Sequence, residues 1–461
     1  MRPRNEAARA QLRTALSRRA AVPASALVEA TGVSVPTLHR LLRELGDEVV
    51  SAGRAQRARY ALRRAVRGDA QPLPLYEIGR DGRARALTRL VPLRPAGTWM
   101  PLADVGWPVP DEARDGWWPG LPYPLYDMRP QGYIGRQLAR ARHREFGVPL
   151  DPEAWTDDDV MHVLSRVGAD CSGSLVLGDA ALERWQAERQ AQREPLAARS
   201  VARAYAKLAD DAVAAGVPGS SAAGEFPKFS ASREPGAGGD TPHVLVKFSG
   251  AEESSAVRRW SDLLVCEHLA LECTAGLPGV QAARSRIVGA GGRTFLEVER
   301  FDRHGAHGRS RLASLAVIEA SLLGDAGTDW TQLALRLQSM RLLTPDDVRR
   351  VELLWCFGRL IANTDMHLGN LSFRPVDGVL RLAPAYDMVP MLYAPLAGGE
   401  VPARSFEPAL PLPAQRDSWL EACRAALDFW QRAARDSRIT EGFRRVCADN
   451  ARRLLRAAEI V

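Results

Sequence analysis

The sequence predicts an α+β chain of several units, and three observations carry that prediction. Three short segments with helical spacing open the chain, strand-like segments separated by glycine and proline turns fill its middle, and helical segments run from 310 to the end with one interruption at 362–410. At 461 residues and 46% hydrophobic content the chain can fill two or three cores. The formal net charge of +7 is modest, but it is unevenly spread. Residues 1–68 hold fourteen arginines against five acidic residues, which leaves the remainder near neutral.

The first unit follows from its spacing. EAARAQLRTALSRRAA sets apolar residues on one helical face and arginines on the other, and PASALVEATG starts a second helix at Pro23 and stops it at Gly32. VSVPTLHRLLRELG opens a third with Ser34 as N-cap, Pro36 in the first turn and a Leu38, Leu41, Leu42, Leu45 stripe. The short link TGVS predicts a helix-turn-helix, and EVVSAGRAQRARYALRR predicts a two-stranded wing with an arginine-rich tip. On that reading residues 1–68 bind double-stranded DNA. Thr37, His39, Arg40 and Arg43 would face a major groove from the third helix, and Arg54, Arg57 and Arg59 would neutralise phosphates. A small helical dimerisation module is the plainer alternative.

From 69 to 168 prolines and tryptophans multiply, which predicts a small β-rich unit with long loops, an aromatic core and a helix near IGRQLARARHREFG. Residues 180–215 are charged and alanine-rich and predict surface helices. Beyond 216, GVPGSSAAGEFPKFSAS runs from a loop into a strand, HVLVKFS is a strand, and about 254–274 is a helix. ARSRIVGAGGRTFLEVERFD then reads as a hairpin around GAGG.

Composition narrows the chemistry. Cys171, Cys266, Cys273, Cys356, Cys423 and Cys447 form no CxxC pair and have no histidine at zinc-ligand spacing, so they are expected to be buried free thiols of a reducing cytosol. No apolar run approaches the ~20 residues of a membrane span, and the first thirty residues are too charged for a signal peptide, which predicts a cytoplasmic protein. Of 62 basic residues only Lys207, Lys228 and Lys247 are lysine. A chain that takes arginine almost everywhere keeps lysine where a compact ammonium is needed, as at a tight phosphate site.

The most informative stretch is LIANTDMHLGNLSF, residues 360–373. Asp365 is followed five residues later by Asn370, and Asp387 comes after a hairpin formed by LSF, a PVDG turn and VLRLAPAYD. That order suits a Mg-ATP phosphotransferase: Asp365 accepts a proton from the attacking hydroxyl, while Asn370 and Asp387 offer hard oxygen ligands. The step from Asp365 to Asn370 equals that of the kinase signature H-R-D-x-x-x-x-N. Upstream, SSAAGEFPK offers small residues that let backbone amides approach phosphates, and Lys247 ends a strand. Singly, Asp365 or Asn370 could be a helix cap, SSAAGEFPK an ordinary turn, and His367 part of a His-and-Asp metal site.

In this order along the chain, SAAGEFPK, HVLVKFS, VERFDR, NTDMHLGN and AYDM resemble the HipA-like serine/threonine kinase toxins over roughly residues 70–440. With a helix-turn-helix ahead of them, the resemblance is to the YjjJ-type branch. It implies a protein-kinase-like two-lobed HipA fold behind a winged helix-turn-helix domain. The expected boundaries are 1–68 for the DNA-binding domain, 69–168 for a β-rich subdomain, 169–302 for a nucleotide-binding N-lobe and 303–461 for a helical catalytic C-lobe. ATP and Mg are implied, with a protein Ser/Thr acceptor, a separate antitoxin and a homodimer as partners.

Residue by residue, the resemblance makes Asp365 the catalytic base, with His367 organising its loop, and Asn370 and Asp387 the magnesium ligands. Lys247 meets the ATP phosphates, Ser221, Gly224 and Lys228 belong to the phosphate loop, and the backbones of Glu299 and Phe301 contact adenine. In this family a serine heading that loop is autophosphorylated, and Ser221 matches it, with Ser220 adjacent. Family loops commonly read Gly-Ala-Gln-x-Lys, whereas this chain has Gly224, Glu225, Phe226, Pro227 and Lys228. An acidic residue there would repel triphosphate unless turned away or neutralised. Two rival readings are a transcriptional regulator that senses nucleotide without turnover and a small-molecule phosphotransferase of the aminoglycoside type.

Overall fold

A computed structural model describes residues 3–191, 194–214, 226–236, 238–324 and 327–461. At the N-terminus the helices Pro3–Arg18, Ala24–Thr31 and Val35–Leu45 close around Leu12, Leu16, Leu27 and the predicted Leu38, Leu41, Leu42, Leu45 stripe. Gly32 ends the second helix at φ 63°, returning its N–H to the Val28 carbonyl. Ser34 occupies the N-cap position of the third, but its hydroxyl bonds the Thr37 hydroxyl at 3.0 Å instead of a backbone amide. The hairpin Val49–Ala52 and Arg59–Leu62 forms where expected, and Val22–Pro23 adds a third strand beside it.

The middle unit is an antiparallel five-stranded sheet in the order Trp117–Trp118, Thr98–Trp99, Ala84–Pro92, Leu73–Ile78, Leu175–Leu177. Trp107, Trp118, Tyr123 and Trp155 are core, as the aromatic content predicts. Leu175–Leu177 lies past the expected boundary at 168, yet it pairs with Leu75–Glu77 and carries the unit on into the helix Asp179–Gln190.

The next sheet has the order Ser285–Ala290, Arg293–Glu299, His243–Phe248, Lys228–Ser232. Its period of two sorts the side chains. Val244, Val246 and Phe248 pack with Tyr205 of the helix Val201–Ala214, which turns Lys247 toward the helix Ser255–Thr274 on the other face. The expectation of surface helices across 180–215 is corrected here. Val201, Tyr205, Ala209 and Ala212 form a buried stripe, and the Tyr205 hydroxyl donates to Glu297 at 2.6 Å. Alanine faces look solvent-tolerant in sequence but allow close packing on a sheet.

The C-terminal part carries the helices Trp330–Ser339, Pro345–Leu360, Arg416–Arg435 and Glu441–Ile460 around Trp330, Phe357, Phe429, Trp430 and Phe443. Between the second and third lies the hairpin Ser372–Val376 and Val379–Leu382. All six cysteines are free; Cys171 is half-buried and the others buried. No helix among the described residues is long and apolar enough to cross a membrane.

Candidate active site

The helix Pro345–Leu360 aims the chain at the site and then stops: Ala362 takes a left-handed φ of 61°, and the Asn363 N–H returns to the Gly358 carbonyl at 2.9 Å. Asn363 is buried. Its Oδ1 accepts the Asp365 N–H at 3.0 Å and its Nδ2 donates to the Asp387 carbonyl at 3.3 Å. Asn370, also buried, donates through Nδ2 to the Asp365 carbonyl at 2.8 Å. Two asparagines therefore grip the Asp365 backbone from either side, and one of them ties it to Asp387. The Asp365 side chain is exposed and makes no hydrogen bond among the described residues, so both oxygens are open to an incoming hydroxyl.

His367 is exposed, and its Nδ1 accepts the Gly369 N–H at 3.0 Å. A Cβ at Gly369 would stand 2.9 Å from the imidazole, so a side chain there would displace the His367 ring from this bond. On the outgoing side, Tyr386 donates to the Gly369 carbonyl at 2.6 Å and shares a hydrogen bond with the Ser372 hydroxyl at 2.7 Å. Asp387 follows in the left-handed region at φ 54°, which aspartate tolerates better than most non-glycine residues.

Asp387 meets the ammonium of Lys247, which also donates to both oxygens of Glu267 at 2.7 and 2.9 Å. Lys247 and Glu267 are buried and Asp387 is about a third exposed. Burial works against the Lys247 charge, but the Asp387 and Glu267 carboxylates override it and raise the ammonium above its ordinary value. Burial likewise opposes the Asp387 charge, and Lys247 followed by Lys228 pulls that carboxyl below its usual range. For Glu267 burial prevails over the pull of Lys247, and the carboxyl is raised. Asp387 is thus the strongly ionised partner and Glu267 the weaker one.

Glu267 was not singled out from the sequence. The only signal was an acidic residue inside LLVCEHLAL, a helix face too apolar to bury a carboxylate without a cation. Lys228 sits opposite Lys247 in the strand register. Phe226 is buried, packs edge-on against Trp260 at 4.7 Å, and has the Lys247 ammonium 5.8 Å from its ring centre. The departure at Phe226 thus walls the lysine. Ser220, Ser221, Gly224 and Glu225 lie outside the described residues.

At the expected adenine segment, the Glu299 carboxylate accepts from Arg233 at 2.7 Å and its N–H donates to the Arg284 carbonyl at 2.8 Å. The Phe301 carbonyl accepts from Arg374 at 2.8 Å, and its ring lies 5.6 Å from that of Tyr386. That carbonyl is therefore committed to protein.

The donor set suits a magnesium ion that arrives with phosphate. Asp387 and Asn370 are hard oxygen donors tied to one hydrogen-bond network, and magnesium needs only one or two such groups beside phosphates and water. Among the described residues no group of three His, Cys, Asp or Glu could hold a metal ion without other donors.

In the N-terminal unit His39, Arg40, Arg43, Arg54 and Arg57 are exposed and Thr37 is half-buried. Arg59 is half-buried and turns back onto the carbonyls of Gln56 and Ala58 at 3.0 and 3.3 Å. A cavity of about 420 Å³, lined by residues including His39, Arg43, Ser51 and Tyr60, opens between the third helix and the hairpin.

These observations can be set beside known proteins. The profile of the YjjJ-like toxin middle domain matches residues 69–186, and that of the HipA-like C-terminal domain matches residues 220–455. Toxin YjjJ of Escherichia coli (strain K12) is 35% identical over 431 residues, 93% of this chain and 94% of that protein. The chain belongs to the YjjJ-like branch of the HipA-like toxin family. Among solved structures, HipA of Shewanella oneidensis MR-1, determined with HipB and its operator DNA, is similar with a TM-score of 0.50 at 15% identity, over 84% of this chain and 96% of that one. At that identity the likeness speaks for the fold. The Helicobacter pylori proinflammatory kinase CtkA is a fainter neighbour, with a TM-score of 0.35 at 11% identity over 50% of this chain and 90% of that one.

Proposed function

We propose that this family member is an ATP- and magnesium-dependent protein serine/threonine kinase of the HipA toxin type, fused to a winged helix-turn-helix that binds DNA. One observation carries the kinase reading: Lys247 of a strand pairs with Glu267 of the adjacent helix and with Asp387, beside a loop in which Asn363 and Asn370 hold Asp365. A lysine–helix-glutamate pair, a base and an amide five residues later are the working parts of a kinase.

In the proposed reaction the acceptor hydroxyl oxygen bonds to the γ-phosphorus of ATP as the bridge to the β-phosphate breaks. The hydroxyl proton passes to the open carboxylate of Asp365, and ADP leaves. Lys247 offers its ammonium to phosphate, and Glu267 keeps that ammonium in place. Asn370 and Asp387 would hold magnesium, which when bound offsets the negative charge of the phosphates. Ser221 remains the proposed self-phosphorylation site on its sequence position alone.

The N-terminal reading rests on the exposed His39, Arg40 and Arg43 of the third helix and Arg54 and Arg57 of the wing. Toxin YjjJ carries its activity in its name, and the solved HipA is complexed with HipB and operator DNA; by analogy growth inhibition, an antitoxin and an operator are proposed here. Incubation with labelled ATP and magnesium separates the readings. Label on protein serine or threonine is expected; label on a small acceptor, or nucleotide bound without transfer, would favour the rivals.

A further inference from the structure

The segment 300–303, just after the strand Arg293–Glu299, is gripped by the middle unit. Arg300 and Arg303 both donate to Asp170 Oδ1, at 2.9 and 2.8 Å. Both also bond Asp302, Arg300 at 3.1 and 3.0 Å and Arg303 at 2.6 Å. The Cys171 carbonyl accepts from Arg300 at 3.3 Å and from Arg303 at 2.7 Å. Gly173 completes the lock: its carbonyl accepts from Arg303 at 3.0 Å and its N–H donates to Asp302 at 2.9 Å.

The charges here are crowded. Arg303, Arg309 and Asp302 are buried, Arg300 is nearly so, and Asp170 stands half-open at the rim. Arg300 and Arg303 pair with both carboxylates, while Arg309 beside them donates to the Ala169 carbonyl at 2.7 Å, and burial together with Arg303 pushes Arg309 down to about 9. Loss of the Asp170 charge would leave three crowded cations with Asp302 alone, and their repulsion would spread the segment they stand on.

We propose that Asp170 is a positioning residue for nucleotide binding: from the middle unit it fixes the backbone of Arg300–Arg303, and through it Glu299 and Phe301. The inference rests on the kinase reading and on the family resemblance, which together imply that the Glu299 and Phe301 backbones border adenine. It gives the middle unit a task in the reaction although none of its described residues hydrogen-bonds the candidate catalytic groups. Asp170 ends the short turn Gly168–Asp170 that continues directly from the helix Asp157–Val167, so its carboxylate stands on a rigid support.

The test compares the full chain with Asp170→Asn, Arg300→Lys and Arg311→Ala. Arg300→Lys keeps the charge but loses the planar fork that spans Asp170 and Asp302, and it keeps the question open to measurement if Asp170→Asn fails to fold. Arg311→Ala is the control. It breaks a similar two-bond pair with Glu77, at 2.5 and 3.1 Å, which also joins the middle unit to the rest of the chain but does not touch 299–303.

Affinity for Mg-ATP is read by calorimetry, and the rate of ADP release at saturating ATP alongside it. Asp170→Asn and Arg300→Lys should weaken Mg-ATP binding by about tenfold and leave the saturated rate within about twofold, because only the fit of the base is lost. Arg311→Ala should lower Tm and bind Mg-ATP like the wild type. Wild-type affinity in both hinge variants, or equal weakening in Arg311→Ala, would overturn the proposal. A wild-type chain that binds no Mg-ATP would instead overturn the kinase reading beneath it.

Discussion

At the residue scale the decisive feature is one ammonium between two carboxylates. Lys247 bonds Glu267 and Asp387 together, and only Asp387 is also expected to serve magnesium. On the proposed function Glu267 would act by competition, holding Lys247 when Asp387 turns to the metal. Glu267→Gln should leave Lys247 more tightly committed to Asp387, raise the magnesium concentration needed for half-maximal ADP release several-fold, and cost about 1–3 kcal/mol of stability. Magnesium titration and thermal unfolding of the variant check both effects. Asp365, Asn370 and Asp387 were legible in the sequence because they lie on one loop and hairpin, where spacing alone fixes their order. Glu267 was not, because its partnership depends on which sheet face the helix Ser255–Thr274 covers. Asn363 proves to be the link between the Asp365 loop and Asp387.

At the element scale, strands and caps were easier to read than exposure. The hairpin around Gly291 and Gly292, the strand His243–Phe248 and the helix Ser255–Thr274 appear where apolar alternation and turn residues put them. The helix Val201–Ala214 looked solvated because alanine and charge dominate it, yet the stripe of Val201, Tyr205, Ala209 and Ala212 is core. In the wing the sequence could not separate three arginines that the fold treats differently. Arg54 and Arg57 are exposed, whereas Arg59 is folded onto its own hairpin. If the unit binds duplex DNA, Arg54→Ala and Arg57→Ala should each reduce the slope of log affinity against log salt by about 1, while Arg59→Ala should change it little and loosen the wing. Equal slopes in all three variants would argue against a wing that contacts phosphates.

At the scale of the whole molecule, a boundary at 68 suggests a tethered N-terminal unit, but the joint is packed. Val50 and Ala61 of that unit form a cluster with Val91 and Leu93 of the middle sheet. Arg64 donates to both oxygens of Asp158 at 2.6 and 2.5 Å, and Arg67 pairs with Asp159. Asp158 and Asp159 lie in the first turn of the helix Asp157–Val167, whose far end leads to Asp170 and the Arg300–Arg303 segment. The middle unit thus touches both the candidate DNA-binding unit and the proposed nucleotide hinge, a relation that no local spacing in the sequence could express. All of this arrangement has meaning only if the chain transfers phosphate. The most direct test is label transfer from ATP in magnesium by the wild type and by Asp365→Ala, with Mg-ATP affinity measured on both. The wild type should label protein serine or threonine, and Asp365→Ala should retain nucleotide affinity while transfer falls by about 10²-fold or more. Transfer by Asp365→Ala at the wild-type rate would contradict the assignment of the base and, with it, the account of the site.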